Sequence, residues 1–209
     1  MDVKTAIRTG DAEALRRLLA EDPSRANALI VWGKDDRIRT HPLHYIADVL
    51  FEGTLERGKE LPLADALIES GTDVDFQVDS KGDTPLLGAA SLGAEALGLR
   101  LLNAGAKRDV RGLFGETALH WAALLGEDGL VARLIEASDL NLKDDKYESP
   151  PLGWAIHGWC NPQGGNQGGH HEVVTLLVAA GAAVEQQWLE NTKVSSDPAM
   201  LAALRAGSR

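Results

Sequence analysis

The chain has 209 residues, 44% of them hydrophobic and 25% charged, which is the balance of a folded chain with a sizeable core and excludes intrinsic disorder. Its net charge of −10 argues against nonspecific binding to nucleic acid or anionic lipid, both of which need basic surface. The single cysteine, Cys160, excludes an internal disulfide and suits a reducing compartment, the cytoplasm being the expectation.

In chain order, Met1 leads into an amphipathic segment without a secretory h-region, and no later run of about 20 apolar residues would span a bilayer. Gly10, Ala14, Leu18 and Leu19 then set a spacing that returns throughout the chain. Residues 31–39, Val-Trp-Gly-Lys-Asp-Asp-Arg-Ile-Arg, alternate in polarity and predict a hairpin. Next comes His41-Pro42-Leu43-His44-Tyr45-Ile46-Ala47. Three related segments follow at 33-residue spacing: Thr84-Pro85-Leu86-Leu87-Gly88-Ala89-Ala90, Thr117-Ala118-Leu119-His120-Trp121-Ala122-Ala123 and Pro150-Pro151-Leu152-Gly153-Trp154-Ala155-Ile156. Behind each lies a second apolar set spaced by four, as in Gly93, Leu97, Leu101 and Leu102, or Gly169, Val173, Leu177 and Val178. That spacing puts the apolar side chains on one helix face. Each unit therefore reads as two short helices separated at glycine, with polar turns such as Asp79-Ser80-Lys81-Gly82-Asp83 between units. A pair this small buries its apolar face only against its neighbours. Asp197 and Pro198 look like the N-cap and first residue of a closing helix.

The period and the Thr117-Ala-Leu-His120-Trp-Ala-Ala segment resemble the ankyrin-repeat family. The resemblance implies an all-α solenoid of stacked helix pairs with short β-turn or hairpin tips and a C-terminal capping helix. We expect a single domain over 1–209, with units at about 1–30, 41–75, 84–111, 117–144 and 150–185 and a capping helix at about 197–206. Two units are long, with extra residues around 51–59 and 160–169. Both insertions fall between the two helices of a unit, where insertions become loops on one edge.

Function is less legible, because this scaffold is reused for many partners. The resemblance implies a non-catalytic protein-binding module, with another protein as partner, no nucleic acid, no membrane and a monomeric state. Tyr45, Trp121 and Trp154 share one repeat position, which in ankyrin-like chains lies on the first helix toward the concave groove. Glycine at position 88 interrupts them and would leave a notch between Tyr45 and Trp121. His157 and Trp159 continue that helix, and Leu92 and Leu124 lie at nearby variable positions. These rings are either an exposed hot-spot surface or inter-repeat packing. Arg111, Phe114 and Tyr147 mark inter-unit tips, with Lys81 and Lys146, where ankyrin-like proteins contact partners. The resemblance gives His44 and His120 a structural role, hydrogen-bonding backbone across adjacent turns. Acidic pairs such as Asp144-Asp145 read as solvated loop charges.

No catalytic motif emerges, so neither an enzyme activity nor a cofactor is expected. His157, Cys160, His170 and His171 come nearest to a metal set, but their spacing matches no familiar zinc pattern, and we expect no metal. The alternative is small-ligand or metal binding, or an unrecognised activity, at the long-loop edge near His157, Cys160 and His170. It requires Asp48, His157, Cys160 and His170 to converge in one pocket.

Overall fold

The computed structural model describes residues 1–78, 82–162 and 168–206. These form two compact units, Met1–Lys107 and Arg108–Arg209, each built from stacked helix pairs.

The first unit opens with α1 (Val3–Thr9) and α2 (Ala12–Glu21). Each helix starts on an aspartate: the Asp2 side chain accepts from the Thr5 N–H and the Asp11 side chain from the Ala14 N–H, both at 2.8 Å. Such caps supply orphan N–H groups with acceptors and are worth roughly 1 kcal/mol each. A 3₁₀ turn (Pro23–Asn27) leads to the anticipated hairpin, β1 (Ile30–Trp32) against β2 (Ile38–Thr40), with Trp32 opposite Ile38. Helices α3 (Pro42–Phe51), α4 (Glu60–Glu69), α5 (Pro85–Ser91) and α6 (Glu95–Asn103) complete the unit. First helices pack on first helices (α1 on α3, α3 on α5) and second on second (α2 on α4, α4 on α6). The core follows from the sequence spacing: Ile7, Leu15, Leu43, Ile46, Leu63, Leu67, Leu97 and Leu101 are all fully buried. The 51–59 insertion is tied down, because Leu55 is buried and its N–H donates to the Val49 carbonyl at 3.0 Å.

The second unit holds α7 (Ala118–Leu125), α8 (Asp128–Leu134), α9 (Pro151–Cys160) and α10 (His170–Ala179), with α7 on α9 and α8 on α10. Gly126 closes α7 at φ 72°, a conformation that costs other residues steric strain. Two short helices, α11 (Gln186–Glu190) and α12 (Thr192–Ser196), precede the closing helix α13 (Pro198–Arg205), which packs against α10. Asp197 caps α13, accepting from the Met200 N–H at 2.8 Å.

One device ties successive turns together. A side-chain oxygen of one turn accepts the N–H two residues after the glycine of the next: Asn27 from Asp73 (2.7 Å), Asp75 from Lys107 (2.8 Å) and Asn141 from Ala183 (2.8 Å). Each bond is worth about 1 kcal/mol net and fixes the stacking register.

Candidate functional site

The second unit places its functional side chains through two tight loops. In the 112–116 loop, the Gly112 N–H donates to the Glu116 carbonyl at 2.8 Å. In the 144–149 loop, Asp144 is 2% exposed and accepts from the backbone N–H groups of Tyr147 (2.6 Å), Lys146 (2.9 Å) and Ser149 (3.1 Å). It also accepts from the Trp154 indole at 3.0 Å. Burial alone would raise its carboxyl, but these donors outweigh burial and hold it below the usual carboxylate range. This corrects the expectation of a solvated charge for Asp144. Asp145 does stand at the surface, where it pairs with Arg111 at 2.8 Å. Arg111 also donates to the Gly115 carbonyl at 2.9 Å and to the Lys143 carbonyl at 3.2 Å, so it pins the two loops together.

His120 braces the same region from inside. Its Nδ1 accepts from the Thr117 N–H at 3.1 Å, which leaves the ring proton on Nε2 to be donated to the Leu142 carbonyl at 3.1 Å. Burial depresses its pKa, with Asp144 pulling the other way, so the ring is held neutral.

These braces frame a cleft of about 640 Å³ lined by Trp121, Leu124, Tyr147, Trp154, His157 and Trp188, among others. The Trp154 ring forms its centre, with Trp121 edge-on at 5.1 Å and 83° and Tyr147 edge-on at 6.0 Å and 73°. Trp154 is only 7% exposed, Trp121 and Trp188 are partly exposed, and Tyr147 stands 63% exposed at the rim. Both central indoles donate their N–H to an acid: Trp154 to Asp144, and Trp121 to Glu116 at 3.4 Å. Gly153 is needed at the wall, because a Cβ there would come within 3.2 Å of the Trp188 ring and collide with the Ser149 hydroxyl.

A family model for ankyrin repeats, in three copies, matches residues 50–144. The chain belongs to the ankyrin-repeat family. Neurogenic locus notch homolog protein 1 of Xenopus tropicalis is 31% identical over 147 residues, 69% of this chain and 5% of that protein. Its Xenopus laevis counterpart is 32% identical over 146 residues, again 69% of this chain and 5% of that protein. The chain thus spans about 5% of the length of the curated relatives it matches. The ankyrin model ends at residue 144, before Trp154 and Trp188, so two of the cleft's three tryptophans lie beyond the matched repeats.

Of the residues singled out from the ankyrin pattern, five meet in this cleft: Trp121, Leu124, Tyr147, Trp154 and His157. Phe114, 43% exposed, lies beside it on the neighbouring tip, where the Lys146 ammonium sits 4.6 Å from its ring and 5.0 Å from that of Tyr147. Trp159 does not join them. It is 5% exposed, packed edge-on to His171 at 5.7 Å and covered by the Lys193 ammonium at 4.7 Å, which is the environment of a packing residue. Leu92 and Tyr45 belong to the first unit. Leu92 ends α5, half-buried. Tyr45 is 1% exposed and packs edge-on to Trp32 of the hairpin at 5.2 Å, so of its two readings, hot spot or packing, its burial is that of packing. The notch expected at Gly88 is filled: a Cβ there would come within 2.5 Å of the His44 imidazole, which occupies that space. Lys81 lies outside the described residues, as does much of the Gly-rich loop.

The residues of the alternative reading part company. His170 is 2% exposed, and its Nε2 lies 2.9 Å from the Leu124 carbonyl, a structural brace. His157 and Cys160 line the cleft, and burial raises the Cys160 thiol against the opposing pull of Lys193. Asp48 belongs to the first unit, where burial raises its carboxyl to about 6 despite a hydrogen bond from Thr40. Among the described residues no three His, Cys, Asp or Glu side chains gather as a metal-holding set. Also among them, no helix is long and apolar enough to cross a membrane. Trp188 and Glu116 were missed from sequence, and Asp144 was read there as solvated. Trp188 sits outside the repeat register, and a buried acid in a loop reads the same as a solvated one.

Proposed function

We propose that this chain is a non-catalytic protein-binding module whose contact surface in the second unit is the aromatic cleft with the Phe114 tip. Ankyrin repeats are generally protein-interaction modules, and the relatives share the repeats rather than a whole protein. The observation that carries the reading is the meeting of Trp121, Tyr147, Trp154 and Trp188 in one open cleft beside an exposed Phe114. Clustered Trp and Tyr on a preformed surface are what binding hot spots are made of. The module would work in a reducing, cytoplasmic setting, as a monomer, with no nucleic acid or membrane as partner. The test is site-specific photo-crosslinking. A photoreactive residue in place of Tyr147 should capture a distinct protein, and capture should be lost when Trp121→Ala is added. The same residue in place of exposed Thr175, on α10, should not capture it. Identical products from both positions would refute the assignment of the surface.

A second reading, small-ligand binding, is favoured by one observation. His157, Cys160 and Asn161 line the same cleft and offer polar groups beside an apolar wall.

A further inference from the structure

The chemistry of the cleft restricts what it accepts. Its central walls are aromatic and mutually near-perpendicular, Trp121 and Tyr147 each standing roughly at right angles to Trp154. The N–H groups of Trp121 and Trp154 are already committed to acids, Glu116 at 3.4 Å and Asp144 at 3.0 Å, so these two indoles offer the cleft ring surface and no donor. Donation from an indole N–H to a carboxylate also enriches the ring in electron density, which strengthens its attraction for a cation. Asp144, held ionised by its donors, places a negative charge at the indole N–H edge of the Trp154 ring, within a chain of net charge −10. Yet among the described residues no Asp or Glu side chain lines the cleft itself. A primary ammonium or a guanidinium entering it would exchange its hydration for neutral acceptors such as Ser149, Asn161 and Asn191, with no carboxylate in the lining to match its charge. A quaternary ammonium has no donor to strand and is weakly hydrated.

We infer that this cleft binds a trimethylated lysine side chain of a partner protein, held by cation–π contact with the partly exposed rings of Trp121, Tyr147 and Trp188 around the buried Trp154. The inference rests on the protein-binding reading of the same cleft and adds the chemistry of the partner. Occupancy places the trimethylammonium head against the rings, with Leu124 in the same lining as apolar surface for the lysine's four-carbon stem.

The experiment uses the full chain and four probes: a short peptide carrying trimethyllysine, the same peptide with plain lysine, the same peptide with the neutral tert-butyl isostere, and tetramethylammonium chloride. Binding is read from the indole ¹H–¹⁵N resonances of Trp121, Trp154 and Trp188. The trimethyllysine peptide should shift all three and bind about tenfold more tightly than either the neutral isostere or plain lysine, the size expected of a partly desolvated cation–π contact. Tetramethylammonium should shift the same resonances and compete with the peptide. Tyr147→Leu should weaken binding several-fold, and because Tyr147 is a rim residue this variant stays folded even if Trp121→Leu does not. Equal affinity for the neutral isostere would overturn the inference in favour of a simple apolar pocket. Stronger binding of plain lysine would overturn it in favour of charge attraction alone. Unmoved indole resonances with both cationic probes would also overturn it. The protein-binding reading fails separately, if no protein is captured at position 147.

Discussion

Trp154→Ala offers the sharpest check on the structure, because two opposed effects meet in one side chain. The ring is 7% exposed, so truncation removes nearly its whole apolar area from the interior. A buried tryptophan hides roughly 200 Å², which at about 25 cal/mol/Å² corresponds to about 5 kcal/mol as an upper bound. Large-to-small core changes of this kind cost about 3–5 kcal/mol when the cavity cannot collapse. The ring is braced on several sides: Trp121 and Tyr147 lean on it, His120 meets its edge at 5.4 Å, and Asp144 accepts its indole N–H. Collapse is therefore limited, and the cost should fall within that range. Trp121, partly exposed, should cost less, about 1–2 kcal/mol on truncation. Urea denaturation followed by far-UV circular dichroism measures both, with the second unit's transition as the readout. If Trp154→Ala unfolds at the same urea concentration as the unaltered chain, the buried, Asp144-anchored indole is wrong, and the cleft with it.

Other expectations follow from the same contacts. Asp144→Ala should destabilise the second unit by about 2 kcal/mol or more, since it strands three backbone N–H groups and an indole N–H, and near-UV circular dichroism should report the loosened Trp154. Gly88→Ala should cost about 1–3 kcal/mol by driving a methyl into the His44 ring, and adding His44→Ala should recover part of the loss in a double-mutant cycle. His41 is 1% exposed, and burial lowers its pKa to about 4 from 6.5, with Asp73 opposing and His44 adding to the shift. Its neutral form is the folded one, so its contribution is complete above pH 6.5 and is lost as pH falls through about 4, amounting to about 3 kcal/mol. Asp48 runs the other way, its contribution fading as pH rises from 3.8 toward about 6, so the two must be separated by NMR titration of the His41 ring, which should stay neutral at pH 5.

Much of the fold was legible because its cause is local and periodic. Apolar residues spaced by four at Leu97 and Leu101 settle which helix face is buried, and Asp197-Pro198 marks a helix start wherever it occurs. The hairpin at 30–40 was legible from alternation. The short helices α11 and α12 were not, since five-residue helices carry too few turns to show a period. Sidedness was the harder question. Tyr45, Trp121 and Trp154 share a repeat position, yet one is wholly buried, one nearly so and one partly open. The difference lies in what happens to cover each ring: Trp32 of the hairpin lies over Tyr45, while Trp121 borders open space that Gly153 helps to leave. Those neighbours are set by insertions and by residues outside the repeat. For the same reason the notch read at Gly88 proved to be filled, because the ring that fills it, His44, comes from the preceding repeat.

The central claim is that the second unit's cleft is a binding surface and not merely well-packed core. The most direct measurement is the affinity of Tyr147→Ala and Trp121→Ala for the protein captured at position 147, taken by calorimetry alongside their urea transitions. The account predicts a loss of about 2 kcal/mol or more in binding for at least one of them, with the Tyr147→Ala transition unmoved. Binding within twofold of the unaltered chain for both variants would contradict it.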